Sequence, residues 1–438
     1  MGQHWVGSWL FWLGHHDCTW TRSLAVLVLG TLLAWGYLLL PAWQGDPILG
    51  ESSHFWAWVL SLSGVMWLLT GWAFQSFKAA WLLWGISVLT LALTLAILGL
   101  WLGRDFLYPD AVWSASPIDA ALLTLSFRVL WMLGLSNGIH LTLTWLREMA
   151  RGQYHFEALA TAMRLNWGPI VLSNLTTAMG FALAAWANPQ LAGLAWVVGV
   201  GALVSLWVLL CVYPWLGLRL RLAFRVGETQ DREGGLWLLK TLQKWPRLAQ
   251  SARWGAWLAT AGVVWVLGTE RFAPWAWSEV WLMLGASGLL LWGYWRAWRL
   301  AWAVISVLAM VMVWCLAWVI GLQAWAPQWF ILTDPVSLLI LLPFGLLLDD
   351  AIHYYTRVRR AQALGLYPHP QQWHRYALSS VGRGVWMTTW VTLVGWLLLA
   401  FWAGESLYSV AWISLSGLLM MAFVLLVWHP ARVISKET

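Results

Sequence analysis

The stretch GLLLDDAIHYYTRVRR, from Gly345 to Arg360, places two adjacent carboxylates, Asp349 and Asp350, inside an apolar run. The chain around it has 438 residues, of which 61% are hydrophobic and only 10% are charged. Its mean hydropathy of +0.68 is well above that of water-soluble domains. This composition predicts an all-α integral membrane protein, in which two neighbouring acids need a physical explanation.

Apolar runs long enough to cross a bilayer recur along the whole chain. A helix needs roughly 20 residues to cross about 30 Å of hydrocarbon, and the sequence contains about twelve such runs. The predicted spans are 22–41, 55–74, 79–102, 119–145, 165–187, 191–217, 252–268, 278–295, 300–323, 335–357, 384–403 and 406–428.

The positions of Lys and Arg predict how these spans are oriented, because short cytoplasmic loops concentrate basic residues. With the N-terminus in the cytoplasm, Arg104 and Arg271 lie outside and Arg128 lies within a span, so 22 of the 25 basic residues lie on the cytoplasmic side. We therefore expect both termini in the cytoplasm. This topology accounts for the net charge of +7, which gives no reason to expect nucleic acid as a partner.

The two halves of the chain resemble each other, with His140 matching His353 at an offset of 213 residues. Three matched segments in the same order predict two parallel six-helix repeats, residues 1–218 and 252–438. The polar stretch 219–251 is the expected cytoplasmic linker, with an amphipathic helix at Leu236–Trp245. The matched segments are Gly134–Gly152 with the segment that begins at Leu347, Ser173–Phe181 with Thr388–Trp396, and Phe74–Trp81 with Trp295–Trp302.

Two adjacent acids at membrane depth indicate a proton-carrying site. A charge at mid-bilayer costs about 2.5–3.5 kcal/mol, so the acids must face the bundle interior or water, or be neutral. Burial and mutual repulsion both favour the neutral form, which is what a proton carrier requires. On a helix, His353 lies four residues after Asp349 and Tyr354 lies four residues after Asp350, so these side chains are expected within reach of each other.

The corresponding positions of the first repeat contain no acid. They are Ser136 and Asn137, followed by His140. If the repeats pack symmetrically, we expect Ser136 and Asn137 to face the acids and offer hydrogen bonds. Any proton site is then confined to one repeat.

Two further polar residues have alternative roles. Thr388 either completes a hydroxyl relay with the acids or bonds back to a carbonyl of its own helix. Arg128 precedes the position equivalent to Asp349 by eight residues, and its side chain is expected to point away from that position. It either extends toward the outer interface or contacts an anionic ligand.

The high tryptophan content of the chain has two possible explanations. The chain has 44 tryptophans, and Trp386, Trp390 and Trp396 are spread through one predicted span. They form either a stacking surface for a polycyclic or polyunsaturated ligand or bulky packing against lipid.

The three cysteines and the His15–His16 pair form no metal-binding motif. We expect no metal, no cofactor and no enzymatic activity, because no nucleophile and base stand together.

These motifs resemble those of a known group of membrane proteins. GLLLDDAIHYYTRVRRAQ and GRGVWMTTWVTLVG resemble two consecutive helices of the resistance-nodulation-division (RND) superfamily, including its lipid-exporting MMPL-type branch. GLSNGIHLTLTWLREMARG and GPIVLSNLTTAMGF resemble an MMPL-type version of the same helices in the other half. The resemblance covers the whole membrane scaffold.

The resemblance implies export driven by the proton-motive force across a bacterial inner membrane. Asp349 and Asp350 match the acidic pair of the family, His353 matches the MMPL-type histidine, and Thr388 matches a relay threonine. With Tyr354 they would form the proton relay, which Ser136, Asn137 and His140 would complete from the other repeat. The implied substrate is a hydrophobic or lipid-like molecule among membrane lipids.

The sequence departs from the family in two ways. The family inserts large periplasmic domains after the first and seventh helices, but here those loops, Pro41–His54 and Thr269–Trp277, are too short to fold as domains. The acids also lie in the second half, whereas well-studied drug exporters carry them in the first. A periplasmic or membrane partner subunit would then replace the missing domains. The alternative is a non-transporting scaffold subunit that binds lipid, similar to sterol-sensing membrane domains.

Overall fold

A computed structural model describes residues 52–74, 76–102, 120–187, 191–220, 222, 276–325, 336–365, 369–402 and 405–428. Within these ranges the chain is helical and contains no strand. The predicted spans 22–41 and 252–268 and the predicted amphipathic helix Leu236–Trp245 lie outside the described residues. Each of the other ten predicted spans coincides with a helix. Most agree to within a few residues, but two of the helices begin earlier than the predicted span.

The chain divides into two compact units, Met1–Val226 and Gly227–Thr438. The division falls within the predicted linker, whose bounds of 219–251 stay a prediction. In the first unit the described helices are α1 (Ser52–Phe74), α2 (Phe77–Leu102), α3 (Ala120–Ala150), α4 (His155–Ala187), α5 (Ala192–Trp207) and α6 (Tyr213–Arg219).

In the second unit the described helices are α7 (Ala276–Trp295), α8 (Trp298–Trp325), α9 (Val336–Leu364), α10 (Pro370–Trp402) and α11 (Glu405–Phe423). The last long helix of each unit passes into a five-residue π-helical segment, Val208–Val212 after α5 and Val424–Trp428 after α11. These segments occupy corresponding places in the two units.

The helices of each unit pack in the same pattern. In the first unit, α3 contacts α1, α2, α4 and α5, while α2 contacts α1 and α5, and α4 contacts α5. In the second unit, α9 contacts α7, α8, α10 and α11, while α8 contacts α7 and α11, and α10 contacts α11. In both units, therefore, the helix that carries the matched histidine is the one that packs against most of its neighbours.

Several threonine hydroxyls inside these apolar helices bond to a carbonyl one turn earlier in their own helix. Thr90 Oγ1 donates to the Ile86 carbonyl at 2.9 Å and Thr94 Oγ1 to the Thr90 carbonyl at 2.7 Å. Thr142 and Thr144 bond in the same way to Gly138 and His140. Such bonds keep hydroxyls paired where water is absent, which a membrane interior requires.

Among the described residues, five helical stretches are long and apolar enough to cross a membrane. In helix α9 the described side chains begin at Phe344, and five charged side chains lie between Gly345 and Arg360. The total of about twelve spans in two parallel repeats therefore stays a prediction. The five stretches are Phe77–Leu98, Leu125–Ala150, Ala192–Arg219, Trp298–Cys315 and Val410–Trp428.

A glycine brings α11 close to the helix that carries the acids. A Cβ atom on Gly417 would lie 3.0 Å from Cys315 Sγ on α8 and 3.3 Å from Leu347 Cδ1 on α9. Only a residue without a side chain fits there unless its neighbours shift. Leu347 lies two residues before Asp349, so this contact helps to hold the acid-bearing turn of α9 in the core of the second unit.

Candidate functional site

The two acids lie at the centre of the second unit. Asp349 is 0% exposed and Asp350 is 4% exposed, on a helix surrounded by α7, α8, α10 and α11. Neighbouring side chains on α9, Leu347, Leu348 and Ala351, are buried as well. Carboxylates are almost never buried this fully unless they are paired, so the site must supply hydrogen bonds, counter-charges or protons.

His353 lies beside Asp349, as the helical spacing predicts. Its Nε2 atom is 3.6 Å from Asp349 Oδ1, and the imidazole is fully buried. This separation is longer than an ordinary hydrogen bond but short enough for an ion pair when the imidazole is protonated. The pair can therefore share a proton after a small side-chain movement.

Thr388 reaches the other acid from α10. Its Oγ1 atom donates to Asp350 Oδ1 at 2.8 Å, and it also lies 3.0 Å from the carbonyls of Gly384 and Val385. Both alternatives considered for this hydroxyl are thus geometrically available. Because a hydroxyl has a single hydrogen, Thr388 can donate to an ionised Asp350 or accept from a protonated Asp350 while donating to its own helix.

The structure adds a contact to Tyr354 that sequence reasoning missed. The Tyr354 hydroxyl lies 3.0 Å from His374 Nδ1, near the beginning of α10, and the two rings lie 5.9 Å apart. His374 is half-buried, whereas Tyr354 is fully buried. Nothing in the spacing of α9 points to this partner, because His374 lies on a different helix twenty residues away.

Arg357 is a second residue that sequence reasoning missed. Its side chain is 1% exposed and lies two helical turns after the acids. A buried arginine is unusual in a chain with so few charges. The signal was present in the spacing, because Arg357 lies seven residues after Asp350 and four after His353, on the same face of the helix. Arg359 and Arg360 follow within three residues, and such a group of arginines is typical of the cytoplasmic end of a membrane helix.

The corresponding residues of the first unit are buried in their own helix bundle. Ser136, Asn137 and His140 on α3 are each at most 3% exposed. Asn137 Nδ2 lies 3.5 Å from the Leu133 carbonyl, at the outer limit of a hydrogen bond. That Ser136 and Asn137 face the acids stays a prediction.

Arg128 is buried in the first unit. It lies on α3, twelve residues before His140, with 3% of its surface exposed. Its extension toward the outer interface stays a prediction. Its contact with an anionic ligand stays a prediction.

The three tryptophans of α10 do not share one surface. Trp396 is fully buried, whereas Trp390 is 48% exposed. Trp386 packs edge to face against Trp390 with ring centroids 5.6 Å apart. This arrangement resembles packing on two sides of a helix more than a single stacking platform.

Two solved structures of SecDF are similar to this chain. The structure of SecDF, a translocon-associated membrane protein from Thermus thermophilus, matches with a TM-score of 0.67 and 16% identity over 90% of this chain. SecDF in its super-membrane-facing form matches with a TM-score of 0.63 and 14% identity over 88% of this chain. The chain spans 63% and 62% of these two proteins. No protein-family model and no curated protein sequence matches the chain.

These similarities show the fold. At 14% and 16% identity they show the fold alone, so membership of the RND superfamily and of its MMPL-type branch stays a prediction. Together with the described apolar helices, the match indicates a multi-pass membrane protein with a SecDF-like fold.

Proposed function

We propose that this protein is an RND-like transporter, driven by the proton-motive force, that moves a hydrophobic or lipid-like molecule in the bacterial inner membrane. The observation that supports this most is the pair of buried acids with a hydroxyl from a second helix at 2.8 Å. A buried acid on one helix that bonds to a second helix can link its protonation to the packing of the two helices. The proposal includes both termini in the cytoplasm and no enzymatic, metal-dependent or nucleic-acid-binding role.

The chemistry of the site follows from the hydroxyl of Thr388. When Asp350 is ionised, Thr388 donates to it and holds α10 against α9. When Asp350 is protonated, the acid donates and Thr388 turns to the carbonyl of Gly384 or Val385. His353, 3.6 Å from Asp349, provides a second place for the proton. Tyr354 and the first-repeat residues Ser136, Asn137 and His140 complete the proposed relay.

The available energy is sufficient for such a cycle. Each proton that moves down 100 mV yields about 2.3 kcal/mol. A bias of this size changes the ratio of two conformations about fiftyfold, because each 1.4 kcal/mol is a factor of ten. One proton per cycle is thus enough to favour one conformation of the helix bundle over another.

Transport is tested in vesicles that contain the purified full chain. The probe is a fluorescent short-chain phospholipid, whose movement between leaflets is measured with and without an imposed proton gradient. Wild type is expected to speed this movement only when the gradient is present, and Asp349→Asn and Asp350→Asn are expected to abolish the gradient-dependent part. Glu157→Gln, which neutralises an exposed acid at the start of α4, is the matched control.

Two outcomes would overturn the proposal. Gradient-dependent movement that persists in both Asp→Asn variants would exclude the acids as the proton carriers. Movement that does not respond to the gradient even in wild type would overturn proton-coupled transport of lipid-like molecules.

A second candidate is a non-transporting subunit that binds lipid and a partner protein. It is favoured by the similarity to a protein described as translocon-associated, of which this chain spans 63%. The short loops Pro41–His54 and Thr269–Trp277 favour it as well. Native mass spectrometry in mild detergent distinguishes the two. A scaffold subunit should be detected in a complex of defined stoichiometry with another protein, and the complex should persist in Asp349→Asn and Asp350→Asn. A transporter that acts by itself should be detected at masses that correspond to this chain alone.

A further inference from the structure

The turns that join α1 to α2 and α7 to α8 have the same pattern of buried and exposed side chains. They belong to the matched segments Phe74–Trp81 and Trp295–Trp302. In each segment the first, sixth and seventh side chains are buried, whereas the fourth, fifth and eighth are exposed. The exposed positions contain an aromatic residue, a cation and a tryptophan, which are Phe77, Lys78 and Trp81 in the first unit and Trp298, Arg299 and Trp302 in the second.

The aromatic side chains at these positions are widely exposed. Phe77 and Trp81 are 49% and 54% exposed, and Trp298 and Trp302 are 64% and 67% exposed. The residue type differs between the repeats at two of the three positions, but the aromatic and positive character does not. Because the side chains point away from the core of either unit, internal packing does not explain the pattern. It indicates similar surroundings outside the protein at both turns.

The position of each turn along its helix indicates what these surroundings are. Two of the five stretches that are long and apolar enough to cross a membrane begin at Phe77 and at Trp298. Lys78 and Arg299 therefore lie where the hydrocarbon of the bilayer meets its polar headgroups. Tryptophan is enriched at this boundary, and the long side chains of lysine and arginine reach the headgroups from it.

The protein provides no anion for the two cations. Helices α1, α2 and α8 contain no acidic residue, and Glu279, the acid of α7, lies near the other end of that helix. Among the described residues, no carboxylate forms an ion pair with Lys78 or Arg299. A cation in the first turn of a helix is not favoured by the helix dipole either. The positive charge at each turn is thus complementary to an anion from outside the protein.

The aromatic rings at the turns are held in place by neighbouring side chains. Trp67 on α1 packs against Phe77 and Trp81, with ring centroids 4.9 Å and 5.8 Å apart. In the second unit, Arg299 Cζ lies 5.8 Å from the centroid of the Trp298 ring. A surface that is ordered before its ligand arrives loses less conformational entropy on binding.

Exposed tryptophans elsewhere in the first unit lack the cation. Trp186, near the end of α4, is 77% exposed, and Trp196 on α5 is 48% exposed. No lysine or arginine occurs between Arg164 and Arg219. Exposed rings alone therefore occur in several places, whereas the two turns combine them with a positive charge.

We propose that each of the two turns binds the headgroup of an anionic phospholipid. Lys78 or Arg299 contacts the phosphate, and the adjacent aromatic rings contact the glycerol and the upper part of the acyl chains. An anionic phospholipid fits better than a zwitterionic one, because the cation of a zwitterionic headgroup already balances its phosphate and is repelled by the side chain. The proposal does not depend on transport, since it concerns the surface of both units and not the buried acids.

Native mass spectrometry of the purified full chain tests the proposal. The protein is kept in mild detergent with equal amounts of phosphatidylglycerol, which is anionic, and phosphatidylcholine, which has no net charge. Wild type is expected to retain phosphatidylglycerol in preference to phosphatidylcholine, with one molecule at each turn.

Substitution of the cations assigns the bound lipid to the turns. Lys78→Gln and Arg299→Gln should each lower the occupancy of one phosphatidylglycerol about fivefold, which is the effect of one cation near an anionic lipid surface. The double variant should lose the preference at both turns. Arg299→Lys keeps the charge and should retain lipid as wild type does.

Arg164→Gln is the matched control for charge. Arg164 is an exposed cation on α4, but its neighbours one helical turn away, Ala160 and Gly168, are buried, so it has no exposed ring at the spacing found in the two turns. This variant should retain phosphatidylglycerol as wild type does. A single symmetrical peak in size-exclusion chromatography selects variants that remain folded.

The contribution of the rings is measured in the same way. Trp81→Leu and Trp302→Leu should each weaken the retention of phosphatidylglycerol, because the acyl chains and glycerol lose their aromatic contact. Trp186→Leu removes an exposed ring that has no cation beside it and should change nothing. Full retention in both Trp81→Leu and Trp302→Leu would overturn the assignment of the rings to the binding surface.

Several results would overturn the proposal as a whole. One is equal retention of the two lipids by wild type, and another is a preference for phosphatidylglycerol that persists in the double variant. A loss in Arg164→Gln as large as that in Lys78→Gln would show that any exposed cation has the same effect. An acidic protein that copurifies with wild type and is lost from the double variant, without a lipid preference, would assign the turns to a protein partner instead.

Discussion

Thr388 Oγ1 on α10 lies 2.8 Å from Asp350 Oδ1 on α9, although 38 residues separate the two in the chain. Both side chains are buried, with 1% and 4% of their surfaces exposed. The bond joins two neighbouring helices through one of the ionisable groups of the site. It is therefore the contact through which protonation can alter helix packing.

Removal of this hydroxyl should move the proton between the two acids. A hydroxyl that donates to Asp350 stabilises the carboxylate more than the neutral acid, so its loss should make a proton on Asp350 more favourable relative to one on Asp349. A hydrogen bond to a charged group contributes about 1.5–3 kcal/mol. Dicyclohexylcarbodiimide labels protonated carboxyl groups. Thr388→Val should therefore shift this labelling from Asp349 toward Asp350 by about tenfold or more, as measured by fragmentation of the labelled peptide.

Two variants serve as controls for that shift. Thr388→Ser keeps the hydroxyl and should label as wild type does. Thr389→Val removes a buried hydroxyl that bonds to the Val385 carbonyl at 2.7 Å, and it should leave the ratio unchanged. An unchanged ratio in Thr388→Val would mean that the hydrogen bond does not determine which acid holds the proton.

The bond between Tyr354 and His374 should couple the stability of α9 to that of α10. The hydroxyl lies 3.0 Å from Nδ1, and a bond of this kind contributes about 0.5–1.5 kcal/mol. Tyr354→Phe and His374→Phe should each lower the free energy of unfolding by roughly that amount. The double variant should lose little more than the larger single effect, as measured by unfolding in detergent.

A second pair of variants tests the specificity of that coupling. Tyr355→Phe combined with His374→Phe should give additive losses, because the hydroxyl that lies 3.0 Å from His374 Nδ1 is that of Tyr354. Additive losses in the Tyr354 and His374 pair would contradict a direct hydrogen bond.

The buried ion pair at the end of α3 should be far more sensitive to loss of its acid than to loss of its outer arginine. Glu148 lies 2.9 Å from Arg147 Nη2, and both side chains are at most 8% exposed. Glu148→Gln leaves Arg147 buried without its anion and should cost about 3–5 kcal/mol. Arg151, whose side chain is 42% exposed, should cost about 0–1 kcal/mol when changed to Gln.

Thermal unfolding of the two variants in detergent measures this difference. The Glu148→Gln protein should unfold at a clearly lower temperature than wild type, and the Arg151→Gln protein close to it. Equal shifts would show that burial does not separate the two arginines in their dependence on Glu148.

The helices themselves were predictable because apolar runs of about twenty residues determine them locally. Ten of the predicted spans coincide with described helices, and the spacing of Asp349 and His353 predicted their proximity, since a helix brings residues four apart onto one face. The MMPL-type assignment and the relay roles of the site residues stay predictions. The match to SecDF shows a shared fold, and the RND assignment stays a prediction as well.

The sequence by itself determined the membrane character of the chain, the helical segments and the cluster of ionisable side chains on α9. Only the tertiary structure decided that Thr388 meets Asp350, that Tyr354 bonds to His374 and that Arg357 is enclosed. The physical reason is the range of the forces involved. Helical geometry determines neighbours within about four residues, whereas contacts between helices depend on the packing of entire apolar surfaces that no local spacing encodes.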